Sequence, residues 1–400
     1  MQLSLRQLFL RHQAQTSPAP MALEVVSAEG IYLYGANGEK WMDMISGISV
    51  SNVGHRHPHV LKAINNQLEK YMHLMVYGEY ILSPQVLLAQ KLAGLFPPLD
   101  SVYFVNSGTE AIEGAIKLSR RATGRSKIFS FKNAYHGSTT GALSLMSSDY
   151  FTSPFQPLLP HVHHLNPGDL SALEFIDHDT AAVFVEIIRG EAGAELVDSE
   201  FLQALRLRCT ETGALFVADE IQTGFGRTGD FFACQGEGII PDIVVMAKGM
   251  GGGMPIGAFM STAKLMSALS DHPVLGHITT FGGHPVCCAA ALANIEVIAS
   301  IDIKTRVTVL EKIARDLLIH PAIKSISGKG LLLAIDFGEE HIAHQVISKC
   351  VSLGVITDWF LFAPQKLRLC PPLIITDEEM ETACKLILNA IEKVYTTENE

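Results

Sequence analysis

The chain has 400 residues, 48% hydrophobic and 18% charged, with 30 Lys and Arg against 41 Asp and Glu for a net charge of −11. That length exceeds one small domain and supplies a large core, which excludes a disordered or fibrous chain. The acidic balance excludes a surface that is basic overall, so neither nucleic acid nor an anionic membrane is an expected partner.

No apolar run reaches the ~18 residues that span a bilayer. Residues 1–20 lack the continuous apolar segment of a secretory signal. They carry arginine and no acid before Glu24, a faint likeness to a transit peptide; an amphipathic first helix with Leu5, Leu8 and Phe9 is the simpler reading. Residues 23–45 alternate apolar stretches with the turns Glu29-Gly30 and Ala36-Asn37-Gly38, and predict small strands. Ser101–Val105 reads as a strand, followed by a helix from Thr109 to about Thr123. Further β-like runs are Ile128–Phe131, Ala181–Ile188, Ala214–Ala218 and Ile243–Met246, with a helical pattern, Ser199–Thr212, between the second and third. Strand, helix and strand at ~30 residues per unit predict an α/β fold with a parallel sheet covered by helices. From about residue 286 the pattern changes to amphipathic helices (Cys287–Ser300, Thr305–Leu318), a strand Gly330–Phe337, another helix and a last helix Asp377–Thr396, which predicts a smaller C-terminal domain. The seven cysteines are odd in number and lack CxxC spacing, so they read as reduced thiols of a cytoplasmic protein.

In open α/β sheets, ligands sit at the carboxyl ends of the strands. Those ends carry Asn106-Ser-Gly-Thr-Glu110, Glu186 followed by Arg189-Gly-Glu191, Asp219-Glu-Ile-Gln222, and Lys248 followed by glycines. Ser107, Gly108 and Thr109 at a helix start could cup a phosphate; the same stretch reads equally as a capped helix without a ligand. A lysine at a strand end suits Schiff-base chemistry. Pyridoxal phosphate needs a lysine, an anion for its ring nitrogen, a phosphate cup and a stacking partner. Lys248, Asp219 and Ser107–Thr109 supply the first three, and Tyr135 is a candidate for the fourth. Each residue alone has a simpler structural role; the constellation is harder to dismiss.

Two other patterns point elsewhere. Gly224-Phe-Gly226-Arg-Thr-Gly229 matches the dinucleotide fingerprint literally, but five residues separate it from its strand and no strong helix start follows, so NAD binding is rejected. His55-Arg-His57-Pro-His59 and His161-Val-His163-His164 could ligate metal, but lack helical ligand spacing with an added acid or cysteine, so no metal site is assigned.

Asn106–Arg125, Tyr135-His136-Gly137, Asp219–Gly229, Met246–Gly257 and Thr279–Pro285 resemble, in the same order, the motifs of class III pyridoxal-phosphate aminotransferases. This is the fold-type I group that includes acetylornithine, ornithine and 4-aminobutyrate aminotransferases. The resemblance implies a large domain (51–285) with a mostly parallel seven-stranded sheet, and a smaller α+β domain from segments 1–50 and 286–400. It implies that Lys248 holds the cofactor aldehyde and shuttles a proton, and that Asp219 pairs with the ring nitrogen. Gln222 then bonds the phenolic oxygen and Tyr135 stacks on the ring, with His136 among the cofactor-binding residues. Ser107, Gly108 and Thr109 hold the phosphate, helped by Thr280 across a homodimer interface. Arg368 takes a substrate carboxylate, and Glu191 neutralises that arginine when an amine end enters instead.

Departures from the family pattern concern the substrate side. Ser138 replaces the arginine usual after the Tyr-His-Gly turn in ornithine-type members; Ile187 and Arg189 replace proline and glutamine; His284 and Ile112 replace asparagines. Arg189 could restore the charge missing at Ser138, or be structural. The expected activity is ping-pong transfer of an amino group from a basic or ω-amino acid to 2-oxoglutarate or pyruvate, in the cytoplasm. A glutamate-1-semialdehyde-type aminomutase, a catalytically silent paralogue and a metal-dependent hydrolase are the alternatives.

Overall fold

The computed structural model describes residues 3–398. Seven strands form the central sheet, in the order Ser101–Val105, Gly257–Ser261, Ile243–Met246, Leu215–Asp219, Thr180–Glu186, Lys127–Phe131 and Val162–Leu165. Gly257–Ser261 runs against both of its neighbours, and every other adjacent pair is parallel. Every residue of Thr180–Glu186 is buried, which accounts for the unbroken apolar run in its sequence.

Two of these strands escape the sequence pattern. Val162–Leu165 is an edge strand that carries His163 and His164 where apolar residues are expected. Gly257–Ser261 opens on a glycine because a Cβ there would collide with the Ser107 carbonyl, so this strand sets the position of the turn before the next helix.

That helix, Gly108–Thr123, is capped by Ser107, whose Oγ accepts the Glu110 N–H at 3.3 Å, and ends on Gly124 with φ of 70°. The Glu110 carboxylate accepts the Asn106 N–H at 2.7 Å, one residue earlier than in a reciprocal capping box. Gly114 lets the helix approach the sheet, since a Cβ there would enter the Phe259 ring.

The strands Val25–Glu29, Tyr32–Gly35 and Lys40–Asp43 form one antiparallel run, joined in parallel by Val355–Ile356 from the far end of the chain. A second sheet is antiparallel, in the order Ser325–Lys329, Leu332–Asp336, Ala363–Leu369 and Asp358–Phe360. The helices Ile303–Leu317, Glu340–Ser352 and Asp377–Glu398 accompany these strands, with Glu340–Ser352 packed on Ala363–Leu369. The first helix, Leu5–His12, has the expected position, but none of its residues is buried.

The glycine-rich stretch after Gln222 joins the sheets instead of opening a helix. Arg227 within it is fully buried and donates to the carbonyls of Leu331 and Pro371 and to the Asn52 side chain. A buried guanidinium that satisfies backbone carbonyls from two segments of the C-terminal part fastens that part to the large sheet.

The histidines have separate partners. His55 bonds Asp43 at 2.8 Å, His57 caps Pro58–Leu68, and His59 pairs with Glu296 at 2.7 Å. Among the described residues no group of three or more His, Cys, Asp or Glu could hold a metal ion. All seven cysteines are free and buried. No single described helix is long and apolar enough to cross a membrane.

Gly114→Val should place its branched side chain in the volume of the Phe259 ring. We expect a loss of ~1–3 kcal/mol in thermal unfolding, with the far-ultraviolet spectrum retained.

Candidate active site

The carboxyl ends of the strands open into a cavity of about 510 Å³. Ser107, Gly108, Thr109, Tyr135, His136, Asp219, Gln222 and Lys248 all line it. A second cavity of about 370 Å³ shares Tyr135 and Lys248 with the first and contains Glu191 and Arg368. The structure thus gathers ten predicted residues into two connected spaces of the size that takes a small molecule.

At one wall the helix Gly108–Thr123 begins. Its first N–H groups have no acceptor within the helix and lie at the positive end of its dipole. Thr109 Oγ1 bonds Thr139 Oγ1 at 2.7 Å, which fixes the hydroxyl at this end. Gly137, with φ of 130°, brings the Tyr135–Ser138 loop against Thr109, where a Cβ would not fit. Ser138 Oγ lies 3.1 Å from the Tyr135 hydroxyl; the position of the family arginine holds a short side chain that steadies the ring.

On the opposite wall Asp219 is buried. Its Oδ2 bonds His136 Nδ1 at 2.7 Å, and its Oδ1 accepts the Ile221 N–H at 2.9 Å. Burial opposes a charge on His136, but the bond to Asp219 and the nearby carboxylates outweigh it and push its pKa up. Glu186 ends its own strand and accepts the N–H groups of Tyr135 and Gly190, both at 2.9 Å. Burial raises its pKa from 4.5 to about 7, against the pull of His136. Two ionisable groups, His136 and Glu186, therefore surround the acid facing the cavity.

Lys248 follows Ile243–Met246 in a left-handed backbone conformation, φ of 44°, rare for a residue with a side chain and typical of strain held at a site. Burial lowers its pKa, opposed chiefly by Glu191. A lysine pushed toward its neutral amine is a nucleophile.

Arg368 is 2% exposed and clasped by Glu191: Nη1 donates to Oε1 at 3.1 Å, and Nη2 to Oε1 at 3.0 Å and Oε2 at 2.9 Å. Gln222 Nε2 also donates to Glu191, at 2.9 Å, while Gln222 Oε1 is buried without a partner. The Arg368 guanidinium lies 4.3 Å over the Phe360 ring.

Arg189 and Thr280 stand apart from both cavities. Arg189 pairs with the Glu195 carboxylate and donates to the Lys132 carbonyl at 2.9 Å, partners that favour the structural of its two expected roles. Thr280 is exposed, away from the cavities of its own chain.

Two residues were not assigned roles from sequence. Glu186 was visible only as a strand-end acid. Asp358 lines the second cavity opposite Arg368; its signal was a short hairpin, Asp358–Phe360 with Ala363–Leu369, which pairs the two residues directly.

A family model described as aminotransferase class-III matches residues 13–391. The chain belongs to the class-III aminotransferases. It is a pyridoxal-phosphate-dependent transaminase. This aminotransferase is 39% identical over 368 residues to the acetylornithine aminotransferase of Archaeoglobus fulgidus, covering 90% of this chain and 93% of that one. It is 42% identical over 366 residues to the acetylornithine aminotransferase of Mycolicibacterium smegmatis, covering 90% and 91%. Among solved structures, the ornithine aminotransferase of Toxoplasma gondii superimposes with a TM-score of 0.92 at 28% identity, covering 99% of this chain and 97% of that one. The adenosylmethionine-8-amino-7-oxononanoate aminotransferase of Methanocaldococcus jannaschii gives 0.90 at 27% identity, covering 97% and 98%.

Glu186 binds its proton more tightly folded than unfolded, so its contribution to stability is full below pH 4.5 and is lost as pH rises through about 7. In cofactor-free protein, Glu186→Gln should make the fall of Tm across that interval shallower. An unchanged slope would show that Glu186 does not titrate there.

Proposed function

We propose that this aminotransferase takes the terminal amine of a basic or ω-amino acid, of the acetylornithine, ornithine or 4-aminobutyrate type, and passes the amino group to 2-oxoglutarate or pyruvate in two alternating half-reactions. The reading is carried by Lys248, a buried amine on strained backbone, sharing one cavity with Asp219 and with the open start of a sixteen-residue helix. The names of the relatives support the donor class.

The residues fit the cofactor. The helix start at Gly108 and Thr109 offers unpaired N–H groups to a phosphate. Tyr135 offers a ring face, and Gln222 an amide oxygen without a partner. When bound, pyridoxal phosphate supplies an aldehyde for a lysine amine and a protonated ring that absorbs carbanion electrons. Asp219, kept in place by His136, holds the proton at the ring nitrogen. Lys248 Nζ is the base that removes and returns the proton at the substrate carbon. Arg368 takes a carboxylate once Glu191 releases it; while Glu191 stays, the arginine is masked and an uncharged carbon fits there.

Within the same reading the protein is a cytoplasmic homodimer, divided into the parts 1–50, 51–285 and 286–400, with Thr280 donated to the neighbour's phosphate site. Seven free thiols support a reducing compartment. Ile81, 93% exposed, and Phe281, 53% exposed and adjacent to Thr280, support a covered face.

Lys248→Ala should abolish turnover and the borohydride-fixed pyridoxyl label together; a label that persists would remove this lysine from its role. A donor that bleaches the cofactor alone, with the absorbance restored by a keto acid added afterwards, marks a transaminase; an aminomutase turns over without an acceptor, and a silent paralogue shows no bleaching. Sedimentation should give a dimer at working concentration, and a fully active monomer would overturn the shared site.

A further inference from the structure

Arg368 faces two acids. It stands directly across the antiparallel pair from Asp358, and Asp358 Oδ1 lies 2.9 Å from its Nε. The contact lacks the alignment of a hydrogen bond, and both atoms are buried without a hydrogen-bond partner. Asp358 is therefore held beside the arginine by the register of the sheet and reaches the cavity with a side chain 20% exposed. On the other side Glu191 is fixed by three contacts to Arg368, by Gln222 and by the Leu361 N–H at 3.1 Å. Every guanidinium nitrogen thus lies against a carboxylate oxygen.

We propose that Asp358 is a specificity-determining residue: a second carboxylate that keeps Arg368 largely neutralised after Glu191 moves off, so that the pocket favours amines whose reacting carbon bears no carboxylate and holds carboxylate-bearing partners weakly. This rests on the transaminase reading and deepens it. In the transaminase reading Glu191, which reaches Arg368 from outside its sheet, is the acid that moves off; Asp358 sits directly across from Arg368 in the same sheet, and that register keeps it alongside. A carboxylate that enters must compete with it for one positive charge, whereas an uncharged CH₂ competes with nothing. Burial raises the Asp358 pKa to about 6, with Arg368 opposing and Glu191 adding to the shift; the group remains ionised near neutral pH.

The test compares Asp358→Asn and Asp358→Glu with the parent holoenzyme, reading single-turnover half-reactions with 4-aminobutyrate and L-glutamate, the KM for 2-oxoglutarate, and calorimetric binding of glutarate, an unreactive dicarboxylate. For Asp358→Asn we expect the KM for 2-oxoglutarate and the Kd for glutarate to fall about three- to tenfold, and kcat/KM for L-glutamate to rise by a similar factor, with 4-aminobutyrate changing by less than about twofold. Asp358→Glu should restore the parent ratio. Weaker glutarate binding in Asp358→Asn would mean that Asp358 merely anchors Arg368, and equal effects on both donors would mean a general structural role; either overturns the proposal. Glutarate binding needs no turnover. If no donor reacts with the parent protein, the transaminase reading fails while this measurement still decides the role of Asp358; if donors react and their ratio is unmoved, only the assignment of Asp358 falls.

Discussion

The burial of charge at the ends of parallel strands is the constraint on which this site depends. Lys248, Asp219, Glu186 and His136 sit where water is scarce, and an isolated ion there is costly unless it is paired or neutralised. The fold answers differently for each. Asp219 is met by His136 and a backbone N–H. Glu186 takes two N–H groups and still tends toward its neutral form. Lys248 is driven toward the free amine. One environment thus places a hydrogen-bonded acid and an amine pushed toward its neutral form in a single cavity, the pair on which the proposed chemistry draws.

Two buried arginines connect this end of the sheet to the C-terminal part, by different means. Arg227 satisfies carbonyls and an amide oxygen, so it acts as a fastener. Arg368 is met by carboxylates, one from outside its sheet and one on its own sheet, so its charge is already engaged in the structure. A fastener has to be satisfied permanently, whereas a ligand site has to be satisfied in a way that a substrate can displace.

Much of this arrangement was legible in the sequence because strand ends are where continuous apolar runs stop. Asp219 and Lys248 could be placed before any coordinates, and the helices Ser199–Thr212 and Gly108–Thr123 followed from their periodicity and caps. The strand Gly257–Ser261 was not legible, since its glycine answers to a collision with Ser107 that only the assembled sheet creates. Arg189 read equally as a substrate residue or a structural one because a charge beside an acid does not reveal its own partner; Glu195, six residues on, is folded back against it by the short pair Ile188–Arg189 with Glu195–Leu196. Asp358 was not singled out because the hairpin signal alone does not fix its register: a slip of one residue there would turn it to the other face.

The departures from the family pattern follow the same division. Ile112 is fully buried among apolar neighbours, so an amide there would need a partner that this core does not offer. His284 caps the helix Pro285–Ala299 through Nδ1, the work that an asparagine also does. Ser138 spans only as far as the Tyr135 hydroxyl. Ser138 alone among these changes touches a residue proposed for the cofactor, Tyr135; Ile112 and His284 lie apart from that cavity. The charges proposed to read the substrate lie on Glu191, beyond the large sheet, and on Asp358 and Arg368 of a separate antiparallel sheet. Because the two sheets are built from different segments, substrate preference under this proposal can change through a hairpin residue without moving the strand ends that carry Lys248 and Asp219 or the helix start.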